Sequence, residues 1–533
     1  MRNLGWLLKA NLKVDFKTIL IWFIVIMMML VSGVSKLTTL YGTAAEQQQL
    51  LTMLKTPVMA ILFAPVTSTH SNLAILFAGI MLPLLAVLVA LLNIQLTLRG
   101  TRKMEESGET ELLLSTAMTK RSPIKALVVE VILVNLIISL CTWLVLTLVA
   151  ISGSTGTGNG LLASLLFSVG IFFSGITFIG AQLFMDSQSV ALLGYGSLGI
   201  FYLLRALVDI NAWSGVKVIS PFNWLTASRV YDINNNWGSI ALLVVGLVLM
   251  GITLVVVPHR DLGTGLIQTR HHGRAQAPVL LKNFTGLLWR SVRKTVLGWL
   301  IGIVLVAIMF GSLFSGLADL ITTNPLITKV LGVAGTHTAI SAVYTHFWVM
   351  VSLVIALFAI LAGLGVVQQY QRDRRSGALD LLSAQPITRA NYYGHYVLGG
   401  AFTTILAWSV GLLVAWFVAQ QTVTVPLAAD LLSRMFWGYL PVMLTFISLA
   451  GLCIGWLPQA VGIVYVYAGL MFLLTYLQGL FNVPTWLLQF APFGWVHNVP
   501  VVGLSMSHML GLVIVMLLGG LIGWVGFKRR NLV

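Results

Sequence analysis

Charge is what this sequence has least of. Only 9% of its 533 residues are Asp, Glu, Lys or Arg, while 58% are hydrophobic; soluble globular proteins carry roughly 25% charged residues. A soluble protein with a large core is excluded, because cores are interrupted by polar faces and this chain has long apolar runs parted by short charged ones. Cysteine is nearly missing: Cys141 and Cys453 both lie in apolar runs with no metal-ligand spacing, which rules out a disulfide framework and leaves two small hydrophobes. There is no Gly-x-x-x-x-Gly-Lys-Ser/Thr phosphate loop, no His-Glu-x-x-His, no paired carboxylates in a soluble segment and no nucleophile elbow. The chain is therefore expected to hold no catalytic residue, no metal and no cofactor of its own.

What charge there is leans one way, with 31 Lys and Arg against 15 Asp and Glu for a formal charge of +16. Such a balance raises the question of nucleic acid. No zinc-finger, paired-helix or stacking-sheet signature accompanies it, and the basic residues fall between apolar runs, where they set orientation in a bilayer. Lys9, Lys13 and Lys17 precede an apolar run with no small-residue cleavage pattern after it, so the first run reads as a retained helix rather than a signal peptide.

Runs long enough to cross about 30 Å of hydrocarbon fall near residues 19–36, 72–95, 124–151, 160–183, 189–210 and 238–257, then 296–316, 345–367, 393–418, 432–456, 459–480 and 503–527. The fold class is all-α: a polytopic membrane protein of about twelve transmembrane helices. Two pairs are parted only by residues 186–188 and by Pro458 with Gln459, and a pair read as one bent re-entrant unit would leave ten or eleven spans. With both termini cytoplasmic, 24 of the 31 basic residues lie inside and seven outside. That split favours an even number of spans.

The two halves echo each other in polar sequence. Residues 107–120, after the second span, align without a gap to residues 376–389, after the eighth, with five identities in 14 positions; Glu111 stands over Asp380 and Lys120 over Arg389. After the fifth and eleventh spans, Pro221-Phe222-Asn223-Trp224 answers Pro492-Phe493-Gly494-Trp495. Six spans per half make the repeats parallel, with residues 1–260 as the first half, 261–282 as a cytoplasmic linker and 283–533 as the second half. Each half opens amphipathically, Leu4, Leu7, Leu8 and Leu12 in one, Phe284, Leu287, Leu288 and Val292 in the other. These segments are expected to lie on the inner surface before the chain turns into the bilayer.

The repeated polar segments suit short cytoplasmic helices. Glu105, Glu106, Glu109 and Glu111 precede Lys120 and Arg121, as the helix dipole favours. Leu112 with Leu113, and Leu381 with Leu382, offer apolar faces to a soluble partner. Within the spans, Glu130 and Asn135 are candidate substrate-path residues, and a carboxylate there should face protein or an aqueous cavity. Gly399 stands where the second half would repeat Glu130, and no acidic relay continues from it; a proton site is the weaker reading. Arg205 and Asp209 form a possible i,i+4 pair. The linker is too short to fold into a nucleotide-binding domain, so any nucleotide would be hydrolysed by another chain.

At Gly108, Glu111, Leu112, Leu113 and Lys120, at Gly377, Asp380, Leu381, Leu382, Pro386 and Arg389, and at the two Pro-Phe-x-Trp sites, the sequence resembles the double-length permeases of ATP-binding cassette exporters. These are the ABC-2-like subunits known as exporters of polyketide antibiotics, tetronasin-type permeases included. The resemblance implies a fused pair of six-span subunits in a bacterial cell membrane that exports amphipathic compounds. It also implies two copies of a separate ATPase, which hold ATP and Mg, docked on the two cytoplasmic segments. Ala117 replaces the family's Pro in the first half, and Arg374 and Arg375 replace acids in the second, so the two docking helices are expected to be unequal. The alternative class is a secondary active multidrug transporter.

Overall fold

In hydrocarbon the backbone has no partner but itself, and the apolar runs of this chain form helices where the structure describes them. The computed structural model describes residues 2–54, 63, 72–116, 118–211, 219–267, 283–314, 336–377, 379, 388–423, 426–477, 490–496 and 506–529. Every secondary-structure element among them is helical, and 12 of the helices are long and apolar enough to cross a membrane. The fold divides into two compact units, Met1–His272 and Gly273–Val533.

The first unit contains α1 (Arg2–Leu40), α2 (Ala44–Leu54), α3 (Leu73–Leu98), α4 (Glu109–Leu114), α5 (Arg121–Val149), α6 (Gly156–Leu183), α7 (Ser187–Asn211), α8 (Pro221–Ala227) and α9 (Trp237–Val256). The second contains α10 (Phe284–Ser312), α11 (Thr336–Val367), α12 (Gln369–Arg375), α13 (Arg389–Thr422), α14 (Ala429–Trp456), α15 (Val461–Leu477) and α16 (Met506–Arg529). Both doubtful boundaries are real helix ends. Asp186 accepts hydrogen bonds from the Ser189 backbone (2.9 Å) and hydroxyl, capping the start of α7. In the second unit α14 stops at Trp456, ahead of a tight turn at Pro458–Ala460, because proline cannot continue the hydrogen-bond ladder.

One expectation fails. The amphipathic openings do not lie apart from the spans: α1 is one helix of 39 residues, about 58 Å at 1.5 Å per residue, and α10 likewise runs unbroken from Phe284. No Gly or Pro falls at residues 6–32 or 287–297 to stop the helix, and ending it there would orphan four carbonyls. The amphipathic pattern remains, with Leu7 buried and Lys9 and Lys13 exposed.

Each unit is built around its second and fourth spanning helices. α3 and α6 are mostly buried in the first and α11 and α14 in the second, whereas the other spanning helices present most of their surface outward. Glycine brings the fourth and sixth spans close. A Cβ on Gly175 of α6 would stand 2.8 Å from the Gly246 carbonyl of α9, and one on Gly523 of α16 would stand 2.8 Å from the Gly451 carbonyl of α14. Small residues allow such backbone approach where dispersion rather than the hydrophobic effect joins helices.

The Pro-Phe-x-Trp sites form equivalent wedges. Pro221 opens α8 and Pro492 opens a turn at Pro492–Trp495, each at the first helical position, where its missing N–H costs nothing. Both following phenylalanines are fully buried. Phe222 packs on Phe173 of α6 with centroids 6.2 Å apart, and Phe493 packs on Phe446 of α14 at 5.5 Å.

Candidate functional site

The first cytoplasmic segment is a short helix on a fixed base. Beyond α3 the helix widens over Arg99–Lys103 and continues through Met104–Glu106. Gly108 then takes φ +78°, a conformation that strains any side chain, and starts α4. Glu109 and Glu111 are exposed, Leu113 is half-buried and Leu112 is 72% exposed. An aliphatic side chain held in the open by so short a helix is placed for a partner rather than for a core.

Beneath it lies a buried ionic clamp. Arg102 donates to the carbonyls of Ala181 (2.7 Å) and Thr264 (2.6 Å) and to the Glu105 carboxylate (2.8 Å). Arg260, beyond α9, pairs with the other oxygen of Glu105 and also donates to the Thr264 carbonyl. Both guanidiniums are almost wholly buried. Glu106 accepts from the backbone and hydroxyl of Ser187, at 2.6 and 2.7 Å, which ties the segment to the start of α7. Lys120 donates to the Arg260 carbonyl at 2.9 Å. Its ammonium therefore braces the base of the segment. These contacts knit residues far apart in sequence into the support of α4, and charge-assisted bonds of this kind are about twice as strong as neutral ones.

In the second unit Gly377 takes φ +72° at the position equivalent to Gly108, so the repeat extends to backbone conformation. Asp373 of α12 accepts from Gln369 (2.7 Å) and from the Tyr396 hydroxyl (2.6 Å), fastening α12 to α13 without a counterpart of Arg102. Asp380, Leu381, Leu382 and Pro386 lie outside the described residues, as does the side chain of Arg389, the first residue of α13. Ala117 and the side chain of Asp209 lie outside them too.

Glu130 and Asn135, on α5, part company. Asn135 is locked in a reciprocal amide pair: it donates to Asn93 Oδ1 at 2.6 Å and accepts from Asn93 Nδ2 at 2.9 Å, while the Ser174 hydroxyl adds a bond to Asn93 at 3.0 Å. Each amide spends its other N–H on the carbonyl one turn back. This joins α3, α5 and α6 and leaves little hydrogen-bonding capacity for a passing ligand. Glu130 is buried, with the Asn11 side chain as its nearest hydrogen-bonding neighbour. It lies close to Asn11 and Asp15 of α1 and to Arg99, which pairs with Asp15. Four polar residues thus gather where α1, α3 and α5 meet, a cluster for which the second half has Ser291, Thr295, Gln368 and Gly399 at the corresponding places.

Asn93, Ser174, Arg102 and Arg260 escaped the sequence reading. A lone Asn in an apolar run is costly enough to flag Asn93, but nothing in the sequence pairs it with Asn135. Arg205 is fully buried, with its guanidinium 4.6 Å over the Tyr202 ring.

Residues 281–528 match the family model described as "Multidrug efflux system permease Rv1217c, C-terminal domain". Over 536 aligned residues, the multidrug efflux system permease protein Rv1217c of Mycobacterium tuberculosis is 25% identical, covering 98% of this chain and 94% of the relative. The chain is similar to a multidrug efflux permease. That likeness spans both units, and with twelve membrane-capable helices it makes this a multi-pass membrane protein.

Proposed function

We propose that this chain is the membrane-spanning permease of an ATP-driven exporter that moves amphipathic, drug-like compounds out of a bacterial cell. Two copies of a separate ATPase, holding ATP and Mg, dock on the cytoplasmic segments: on Gly108, Glu111, Leu112, Leu113 and Lys120 in the first half, and on Gly377, Asp380, Leu381, Leu382, Pro386 and Arg389 in the second. Both termini face the cytoplasm, as the distribution of basic residues favours. The permease itself carries no reaction. Closure of the ATPase pair pushes on the two short helices, and the spans respond by alternating access to the export path.

The observation that carries this reading is Leu112, exposed on a six-residue helix whose base is held by the Arg102–Glu105–Arg260 clamp. A push at α4 would be delivered to α3, α6 and α7 through the contacts of Arg102 and Glu106 rather than lost in a soft loop. Truncating a leucine that becomes well buried at an interface costs about 2–5 kcal/mol, enough to release a docked subunit. The test is copurification of the ATPase with inserted Leu112→Ala/Leu113→Ala and Leu381→Ala/Leu382→Ala proteins in matched amounts. Association or coupled hydrolysis should fall in each. Unchanged association, hydrolysis and export in both would remove the docking assignment.

A further inference from the structure

The second unit carries a groove that none of the residues considered so far explains. It has a volume of about 970 Å³ and lies between the start of α10 and the first turns of α13. Its apolar wall is formed by Leu288, Trp289, Val292, Leu398 and Phe402, and its polar rim by Asn283, Asn391, His395 and Thr403. Among the described residues no Asp or Glu lines the groove, and the exposed Arg290 and Arg293 follow Trp289 and Val292 directly on α10. The size is that of a site for a drug-sized ligand.

Two glycines of α13 line the groove, and open space lies beside the first. A Cβ on Gly394 would meet nothing within 4 Å, and one on Gly399 would touch only Leu288 and Val366, both at 3.5 Å; their neighbour Gly400 instead packs tightly against α11. In the first half the place of Gly399 is taken by Glu130, buried near Asn11 and Asp15 of α1. The corresponding position there holds a carboxylate, where the second half holds a glycine in ordinary contact with Leu288 and Val366.

We propose that this groove is the entry site for cargo, and that it takes a neutral or anionic amphipathic small molecule, apolar body against Trp289 and Phe402 and polar end toward Asn391 and His395. The described lining residues are free of carboxylates, and with the flanking arginines this disfavours a cation. This deepens the exporter reading and rests on it for the word cargo, but binding can be measured without transport.

The experiment uses the full chain in lipid vesicles, photolabelled with a benzophenone-bearing alkyl carboxylate and, in parallel, with the matching alkylammonium. Adducts of the carboxylate should map to α10 and α13 and exceed those of the ammonium. Gly394→Leu, which fills open space, should weaken labelling about tenfold, the loss expected when about two methylene-sized groups are displaced, whereas Gly394→Ala should change it little. Phe402→Ser, on an exposed position that folding does not depend on, should weaken labelling in the same direction. Adducts scattered over the lipid-facing surface, equal labelling of Gly394→Leu and Phe402→Ser, or preference for the ammonium would overturn the site. Loss of the adduct when an equal amount of anionic phospholipid is added would assign the groove to lipid and also overturn it. Labelling as described with no ATP-dependent export would remove the exporter reading and leave a binding site; export that survives Gly394→Leu unchanged would remove the entry site alone.

Discussion

Replacing Glu105 with Gln keeps the side chain's shape and deletes the charge that two buried guanidiniums share. The side chains of Arg102 and Arg260 are 1% and 5% exposed, and that of Glu105 is 11% exposed, so water screens little of the loss. Breaking a buried pair by removing one partner costs about 3–5 kcal/mol, because a charge is left uncompensated. The carbonyls of Ala181 and Thr264 still bind Arg102, and the carboxylates of Glu106 and Asp186 remain within electrostatic reach of it. These place Glu105→Gln near the lower end, at about 3 kcal/mol. Thermal unfolding in detergent should register the change. Hydrogen exchange should localise it to residues 104–116, the segment that carries Glu105 and stands on the clamp. Glu109→Gln, at an exposed position one residue beyond Gly108, serves as the control and should stay within about 0.5 kcal/mol of the parent. In a double-substitution cycle, Glu105→Ala and Arg260→Ala together should cost less than their sum. A folded Glu105→Gln protein with parental stability and unchanged exchange over the segment would refute the clamp as the base of α4.

Asn93→Ala or Asn135→Ala should each cost about 1–3 kcal/mol, since either leaves an amide without its partner in the spans, and the pair should show a coupling near 1 kcal/mol in thermal unfolding of the single and double variants. Gly523→Val should fail to assemble α16 against α14, read as loss of folded protein on size exclusion, because a larger side chain would have to enter the Gly451 carbonyl. Phe222→Ala and Phe493→Ala should destabilise their own units by similar amounts, about 3–5 kcal/mol, measured by exchange protection of α6 and α14; strongly unequal losses would argue against equivalent wedges.

What could be read from the sequence was whatever physics writes locally. Hydrophobic runs must form helices in lipid, so the spans were legible; their ends were less so, since α1 and α10 run on through the amphipathic openings and the short partings at residues 186–188 and Pro458 left the count of spans open. Gly108 and Gly377 were legible as a repeated pair, and the structure adds that both adopt the left-handed backbone their lack of a Cβ allows. Long-range pairing was not legible. The motif places Lys120 on the docking face, and no local pattern shows that its ammonium also bonds the Arg260 carbonyl 140 residues away. Asn135 was read alone, because a span's sequence does not say which neighbour its polar face meets; its partner lies 42 residues earlier on α3. The groove was invisible for the same reason: nothing in the sequence around Gly394 marks the open space beside it, which side chains of α10 bound.

The central claim is that ATP, used by a partner, drives this permease. Its most direct test is uptake of a fluorescent amphipathic compound into inside-out vesicles that contain the chain and its ATPase, with ATP supplied or withheld and the proton gradient intact or collapsed. The account predicts uptake that requires ATP, survives collapse of the gradient at constant ATP, and is unchanged in that respect by Glu130→Gln. Uptake that persists without ATP, follows the proton gradient and loses that dependence in Glu130→Gln would contradict it.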